Sequence, residues 1–245
     1  MRVAIISGSS RGLGKEIAIH FSKQNITPII TYNNDRKSGE AVLEECKKNN
    51  PLSTLIQLDI SKRSSIKSVI SKCSELFGRI DILINNAGIN KRCDFYEITD
   101  DDWDQILTVN LKGPFIFCQE ALQVMGAGSR IINISSVAGQ YHGPKTVHYA
   151  TSKAALNSLT KSVARYAAEK EIYVNAIAPG IILTDQTLDQ FNSGDAMRII
   201  EATQLLKRPG SIDEFLSTID YLIDKRQTYL TGQVIALSGG AIIDN

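Results

Sequence analysis

The sequence predicts an α/β fold: a single domain over residues 1–245, built on a doubly wound parallel sheet of about seven strands with helices on both faces. Three observations carry this expectation. Short β-branched runs alternate with amphipathic stretches along the whole chain. The runs are almost uniformly apolar, as strands covered on both faces must be. A glycine-rich turn, Gly8-Ser9-Ser10-Arg11-Gly12-Leu13-Gly14, joins the first run to the first amphipathic stretch.

Val3–Ser7 is the first predicted strand. Gly12–Gln24 follows as a helix, with Leu13, Ile17, Ala18 and Phe21 at helical spacing. Pro28–Tyr32 reads as the second strand, Ser38–Asn50 as a helix and Thr54–Leu58 as the third strand. Ser64–Phe77 is helical, with Ile66, Val69, Ile70 and Cys73 on one face. Ile80–Ile84 is the fourth strand, broken by Asn85-Asn86-Ala87-Gly88. Thr99 precedes three aspartates, which sets a cap and negative charge at the positive end of a helix dipole. One continuous helix is expected from Asp101 to about Met125. Arg130–Ile134 is the fifth strand, Val147–Lys170 a long helix and Tyr173–Ala178 the sixth strand. Ser211 and Glu214 form a capping box for a helix to about Asp224, and Gln233–Leu237 is the last strand. The stretch from Gly180 to Gly210 exceeds an ordinary connection, so a substrate lid is expected around 183–210. Phe191, Met197, Ile199 and Ile200 supply its apolar side chains, and Gly194 is a candidate hinge.

Composition narrows the function classes. The formal net charge is +1, with 43% hydrophobic and 22% charged residues, so no long-range field draws nucleic acid or an anionic membrane. The apolar start is short and runs straight into the glycine turn, unlike a signal peptide, and no run is long enough to span a bilayer. A cytoplasmic location is expected. Cys46, Cys73, Cys93 and Cys118 form no CxxC pair and are expected as reduced thiols. With His20, His142 and His148 they make no metal-spaced set, so no metal site is expected.

The glycine spacing, G-x3-G-x-G, lets the backbone turn sharply beneath the free N–H groups of a helix start, a cradle for pyrophosphate. A dinucleotide site needs a ribose-binding group near the end of the second strand. Here Tyr32 and Asn33 are neutral, while Arg11, Arg36 and Lys37 are cations, which favours the 2′-phosphate of NADP(H) over NAD(H). Arg36 and Lys37 equally suit a solvated helix start, and Asp35 is within reach of the ribose. Asp59 closes the third strand and suits either an adenine amino group or a turn cap.

Tyr149 and Lys153 stand at i and i+4, on one helix face. A phenol with a pKa of about 10 is a poor acid or base at neutral pH, and an adjacent ammonium is expected to lower it. Ser135 and Ser136 follow the fifth strand, where a hydroxyl can polarise a carbonyl oxygen.

On these motifs the chain resembles the short-chain dehydrogenase/reductase family over essentially its whole length. The family's glycine motif matches Gly8, Gly12 and Gly14, and its N-N-A-G motif matches Asn85 to Gly88. Its catalytic asparagine matches Asn110, and its Y-x3-K matches Tyr149 and Lys153. Its serine, thirteen residues before the tyrosine, selects Ser136 over Ser135. Its P-G turn matches Pro179-Gly180, with Thr184 where the family contacts the nicotinamide amide. The resemblance implies catalysis by Asn110, Ser136, Tyr149 and Lys153. It implies a cofactor site of Gly8, Ser10, Arg11, Gly12, Leu13, Gly14, Asn33, Asp59, Ile60, Asn86, Ala87, Gly88, Tyr149, Lys153, Pro179, Gly180, Ile182 and Thr184.

By pattern the chain is similar to the 3-oxoacyl-[acyl-carrier-protein] reductases of fatty acid biosynthesis, through Ser10 to Gly14, Val174 to Gly180 and Leu230 to Gln233. That similarity implies NADPH-dependent reduction of a 3-oxoacyl thioester, acyl carrier protein as partner, and a homotetramer built through the Asp101–Met125 and Val147–Lys170 helices and the last strand. Of the two cations of that group's docking patch, one falls near Lys170, while the other falls near Ala127, where no basic residue stands. Phe115, Phe117, Leu156 and Leu159 are candidates for interface or core. His148 occurs more often in relatives acting on sugars or small alcohols, an alternative activity, and it also reads as a partly buried polar residue at a helix start. A non-catalytic NADP(H)-binding regulator is a third class, expected to lack the Tyr, Lys or Ser that this chain retains.

Overall fold

The structure, a computed structural model, describes residues 1–141, 145–184 and 195–241. Strands β1 (Arg2–Ile6), β2 (Ile26–Tyr32), β3 (Thr54–Gln57), β4 (Ile82–Asn85), β5 (Arg130–Ile134), β6 (Tyr173–Pro179) and β7 (Val234–Leu237) form one seven-stranded sheet. Its order is β3-β2-β1-β4-β5-β6-β7, and every pairing is parallel. The predicted fold class holds. The chain runs outward from β1 in one direction to β3, then returns to β4 and runs outward in the other. That reversal opens a crevice at the carboxyl ends of β1 and β4.

Alternate residues of each strand feed two cores, as the two-residue period of a strand dictates. Val3, Ile5, Leu83, Ile131 and Val174 face α3 (Arg63–Phe77), α5 (Gly113–Ala121) and α6 (Val147–Ala168). Ala4, Ile6, Ile82, Ile84, Ile132 and Ile177 face α1 (Gly12–Lys23), α2 (Arg36–Lys47) and α8 (Ile212–Ile223). Between these helices lie α4 (Asp100–Leu107) and α7 (Asp195–Thr203). Phe117 and Leu156 are core residues, at 0% and 1% exposure, whereas Phe115 is exposed.

Strand β2 starts at Ile26 and runs through Pro28. Pro28 pairs with Ala4 of β1, and β3 joins only from Ile29, so no ladder on its other side requires the missing N–H.

The long helix expected from Asp101 to Met125 is broken. A π-helical turn, Thr108–Lys112, separates α4 from α5. Two contacts hold the break. Gly113 sits against Ile60, where a Cβ would lie 2.7 Å from Cγ1 and 2.9 Å from the carbonyl oxygen. Asn110 turns fully inward, where its amide accepts from Ile89 N and donates to Ile89 O, both at 2.9 Å. The extra residue of a π turn shifts the helix face by about 100°, which lets both contacts form.

The end of the sheet away from the crevice is closed by arginines. Arg130, 3% exposed, donates to Gly128 O at 2.7 Å, Asp224 O at 3.1 Å and Gln227 O at 3.0 Å, and its guanidinium lies 4.2 Å from the Tyr173 ring centroid. Arg2 donates to Ile223 O at 2.7 Å. Both satisfy carbonyls at or just beyond the C-terminus of α8, where helices leave acceptors unpaired. All four cysteines are free thiols, and burial pushes Cys46 up to about 11 and Cys73 and Cys118 to about 12. Among the described residues no helix is long and apolar enough to cross a membrane, and no cluster of His, Cys, Asp or Glu is placed to hold a metal.

Candidate active site

The crevice is a cleft of about 1190 Å³ at the ends of β1, β4, β5 and β6. The glycine turn forms one wall. Gly8 has φ +64°, and a Cβ there would lie 2.9 Å from Ala87 Cα, so only glycine lets the β1 and β4 turns meet. A Cβ on Gly14 would lie 2.5 Å from both Asn86 Nδ2 and Gly8 O. Asn86 Nδ2 donates to Ser7 O at 2.9 Å and Gly8 O at 3.0 Å, fastening the two turns. Ser7 Oγ accepts from Asn86 N and Ala87 N. Thr31 Oγ1 accepts from Gly8 N, and Ser9 Oγ accepts from Thr31 N. The rigid turn leaves α1 without a side-chain cap, since its N-cap residue Arg11 makes none. The uncapped N–H groups and the positive helix end fit a pyrophosphate.

Of the expected cofactor residues, Gly8, Ser10, Arg11, Leu13, Asn33, Asp59, Ile60, Asn86, Ala87, Gly88, Tyr149, Lys153, Pro179, Gly180, Ile182 and Thr184 line the cleft. Gly12 and Gly14 stand behind its wall and act through the backbone. The three cations separate. Arg11 lines the cleft, whereas Arg36, 71% exposed, is turned to Glu40 at 2.8 Å. Lys37 lies outside the lining. Asp35 lines the cleft, and its carboxylate caps α2, accepting from Ser38 N at 3.0 Å and Ser38 Oγ at 2.6 Å. Those bonds, with help from Arg11 and Lys37, hold its pKa below the usual value. Asp59 lines the cleft but its carboxylate is tied back to Ser61 N, Ser61 Oγ and Lys62.

At the deep end of the cleft, Ser136 closes β5 and its Oγ accepts from Ala138 N at 3.1 Å. It lies close enough to the Tyr149 phenol to favour the phenolate. Lys153 Nζ lies 5.7 Å from the Tyr149 ring centroid and donates to Ile134 O at 2.8 Å. Helix α6 is seated against β5 by Ser135, whose Oγ donates to Lys153 O at 3.2 Å. Gly139 packs so close that a Cβ would lie 2.7 Å from the Lys153 carbonyl carbon. Ser135 thus holds the helix while Ser136 faces the cleft. Asn110 lies behind Gly88, one layer from the cleft.

The expected lowering of the Tyr149 pKa by Lys153 is not what the chain alone produces. Burial pushes the phenol above its ordinary value, and the nearby Ser136 hydroxyl opposes this in part. Burial also pulls Lys153 down to about 8, because its ammonium is enclosed and donates to a neutral carbonyl, Ile134 O.

A family profile described as Enoyl-(Acyl carrier protein) reductase matches residues 8–241. The chain belongs to the short-chain dehydrogenase/reductase family. It is 35% identical over 240 residues to a 3-oxoacyl-[acyl-carrier-protein] reductase FabG of Staphylococcus aureus (strain Mu50 / ATCC 700699), covering 97% of this chain and 96% of the relative. It is 31% identical over 243 residues to Glucose 1-dehydrogenase 2 of Bacillus subtilis (strain 168), covering 98% and 94%. A short chain dehydrogenase from Burkholderia cenocepacia J2315, solved in complex with NADP, superposes with a TM-score of 0.90 at 28% identity, covering 98% and 97%. As a short-chain dehydrogenase/reductase the chain is an oxidoreductase of a family that uses NAD(P).

Several residues that build this family's site here escaped the sequence reading. Ser7, Ser9 and Thr31 lock the glycine turn, and Ser152 bonds Asn110. Ser7 and Ser9 flank Gly8, and Ser152 precedes Lys153, so position beside a motif was the available signal. Phe191 and Gly194 of the expected lid lie outside the described residues. Ala196 and Ile200 of α7 are buried, while Ile199 is exposed.

Proposed function

We propose that the chain reduces a carbonyl to a secondary alcohol with NADPH, with a 3-oxoacyl thioester as substrate. The observation that carries this is the grouping of Ser136, Tyr149 and buried Lys153 in one cleft, at the strand ends where the glycine cradle opens. The cradle, Asn86-Ala87-Gly88 and Pro179-Gly180 would hold the dinucleotide, which when bound supplies a hydride to the carbonyl carbon. Ser136 orients the carbonyl oxygen and stabilises the charge that grows on it. Tyr149 gives that oxygen its phenolic proton. Lys153 binds ribose hydroxyls and, as an ammonium, lowers the cost of the phenolate left behind. Asn110 secures the Gly88–Ile89 backbone beside Lys153. Arg11, a cation that lines the cleft together with Asn33, favours NADP(H) over NAD(H) by pairing with a 2′-phosphate.

The FabG relatives at 33–35% identity support the thioester substrate. A second reading, dehydrogenation of a sugar or small alcohol, is favoured by the Glucose 1-dehydrogenase 2 relative and would use the same residues in reverse. Retention of Ser136, Tyr149 and Lys153 together speaks against a non-catalytic regulator. Acyl carrier protein as partner rests on Lys170, whose Nζ donates to Leu122 O at 2.6 Å and so must exchange a helix carbonyl for an acidic partner. A cytoplasmic homotetramer completes the reading, supported by exposed Phe115 on α5 and Tyr166 on α6.

The test is NADPH oxidation followed spectrophotometrically with acetoacetyl thioesters, small ketones and sugar lactones. Turnover of the thioester, lost at least a hundredfold (about 2.7 kcal/mol in barrier) in Tyr149→Phe, is expected. Turnover of sugars alone selects the second reading. An unimpaired Tyr149→Phe variant refutes the mechanism.

A further inference from the structure

Ser152 is fully buried, and its hydroxyl is used twice. Oγ donates to Tyr149 O at 2.7 Å and accepts from Asn110 Nδ2 at 3.1 Å. Asn110 is equally buried, and its remaining amide groups are spent on Ile89 N and Ile89 O. Asn110 and the backbone after β4 therefore form one hydrogen-bonded unit, and Ser152 ties that unit to the helical turn carrying Tyr149 and Lys153.

What the tie holds in place is visible at Gly88. The point where a Gly88 Cβ would stand lies 3.3 Å from Asn110 Oδ1 and 3.6 Å from Lys153 Nζ. Asn110 Oδ1 and Lys153 Nζ thus both border Gly88, and the Nζ hydrogen bond goes to Ile134 O. A neighbouring acceptor favours the charged form of a lysine that burial disfavours. Ser135 fastens α6 to β5 but makes no bond to Asn110. The π-helical turn that brings Asn110 inward thus meets α6 through Ser152.

We infer that Ser152 is a positioning residue, which holds the Asn110 amide oxygen beside Lys153 and so keeps the Tyr149–Lys153 pair in working geometry. This rests on the reading of Tyr149 and Lys153 as the reacting pair. Without the hydroxyl, one Asn110 N–H is orphaned in a dry site, and the unit has reason to move away from α6 toward water. A serine that merely stabilised the helix would lower the melting temperature and leave the chemistry of Lys153 untouched.

Two measurements separate these roles. The first needs no cofactor: the ¹³Cε resonance of Lys153 is titrated in ¹³C-lysine-labelled protein, assigned with Lys153→Arg. Ser152→Ala is expected to move the titration to lower pH than in the unaltered chain. The second is a double-mutant cycle on NADPH-dependent reduction of acetoacetyl thioester. Ser152→Ala alone is expected to lower kcat about tenfold with NADPH KM within about twofold, and Asn110→Ala/Ser152→Ala to be no slower than Asn110→Ala. Ser152→Cys keeps the size and a weak donor, so it should fall between serine and alanine, and it replaces the alanine variant if that one does not fold. An unmoved Lys153 titration, or kcat losses that multiply in the double variant, overturns the inference. If the unaltered chain reduces no carbonyl, the reductase reading fails, while the Lys153 titration still decides the role of Ser152.

Discussion

Replacing Arg11 by alanine tests the choice of cofactor. Of the three candidate cations, Arg11 in the glycine turn and Arg36 and Lys37 after the second strand, Arg36 is committed to Glu40 and Lys37 stands outside the cleft lining, so the burden falls on Arg11. A charge-assisted hydrogen bond is worth about 1.5–3 kcal/mol. Arg11 is exposed, so solvent screening puts the expected loss near the lower value. At about 1.4 kcal/mol per decade, the NADPH KM should rise about tenfold. The NADH KM should stay within about twofold, since NADH offers no 2′-phosphate. Steady-state kinetics with both cofactors, at low and high ionic strength, measure the contrast, and added salt should shrink it. Arg36→Ala is the control and should change neither KM. Equal losses for NADPH and NADH in Arg11→Ala, or a shift of preference in Arg36→Ala, would refute the assignment.

Two further predictions concern stability. Lowering Lys153 from 10.5 to about 8 corresponds to about 3 kcal/mol at 1.4 kcal/mol per pH unit. Between these values the unfolded chain binds the proton and the folded one does not, so the penalty is full below pH 8 and gone above 10.5. Lys153→Met should therefore be inactive yet more stable to urea at pH 7, by up to about 3 kcal/mol, with the gain fading as pH rises through that window. A destabilised Lys153→Met at pH 7 contradicts this. Arg130→Ala removes donors from Gly128 O, Asp224 O and Gln227 O. It should cost about 3 kcal/mol, or roughly 6–12 °C in Tm. Calorimetry checks this, and a shift under about 2 °C would show that the clamp contributes little.

Much of the fold was legible because its cause is local. Short β-branched runs such as Arg130–Ile134 and glycines in a tight turn need no partner to be recognised. The catalytic pair was legible for the same reason, since i and i+4 fix a shared face. What escaped depends on contacts far apart in sequence. The break at Thr108–Lys112 is set by Ile60 and Ile89, neither of which marks the helix as irregular. Whether Arg36 faces a cofactor or Glu40 is a choice between rotamers, and helical spacing permits both. The raised pKa of Tyr149 reflects burial that exists only once distant parts of the chain have packed together.

The π-helical turn also constrains how this chain can change over generations. It holds one residue more than a regular helix needs, so α4 and α5 keep their faces out of phase. Deleting any single codon within 108–112 can restore a smooth helix at little cost in helix propensity, yet it rotates everything beyond it by about 100°. Asn110 or Gly113 would then leave its seat. Point substitutions away from Asn110 leave this phase intact, while a one-residue deletion, usually the mildest length change for a helix, does not.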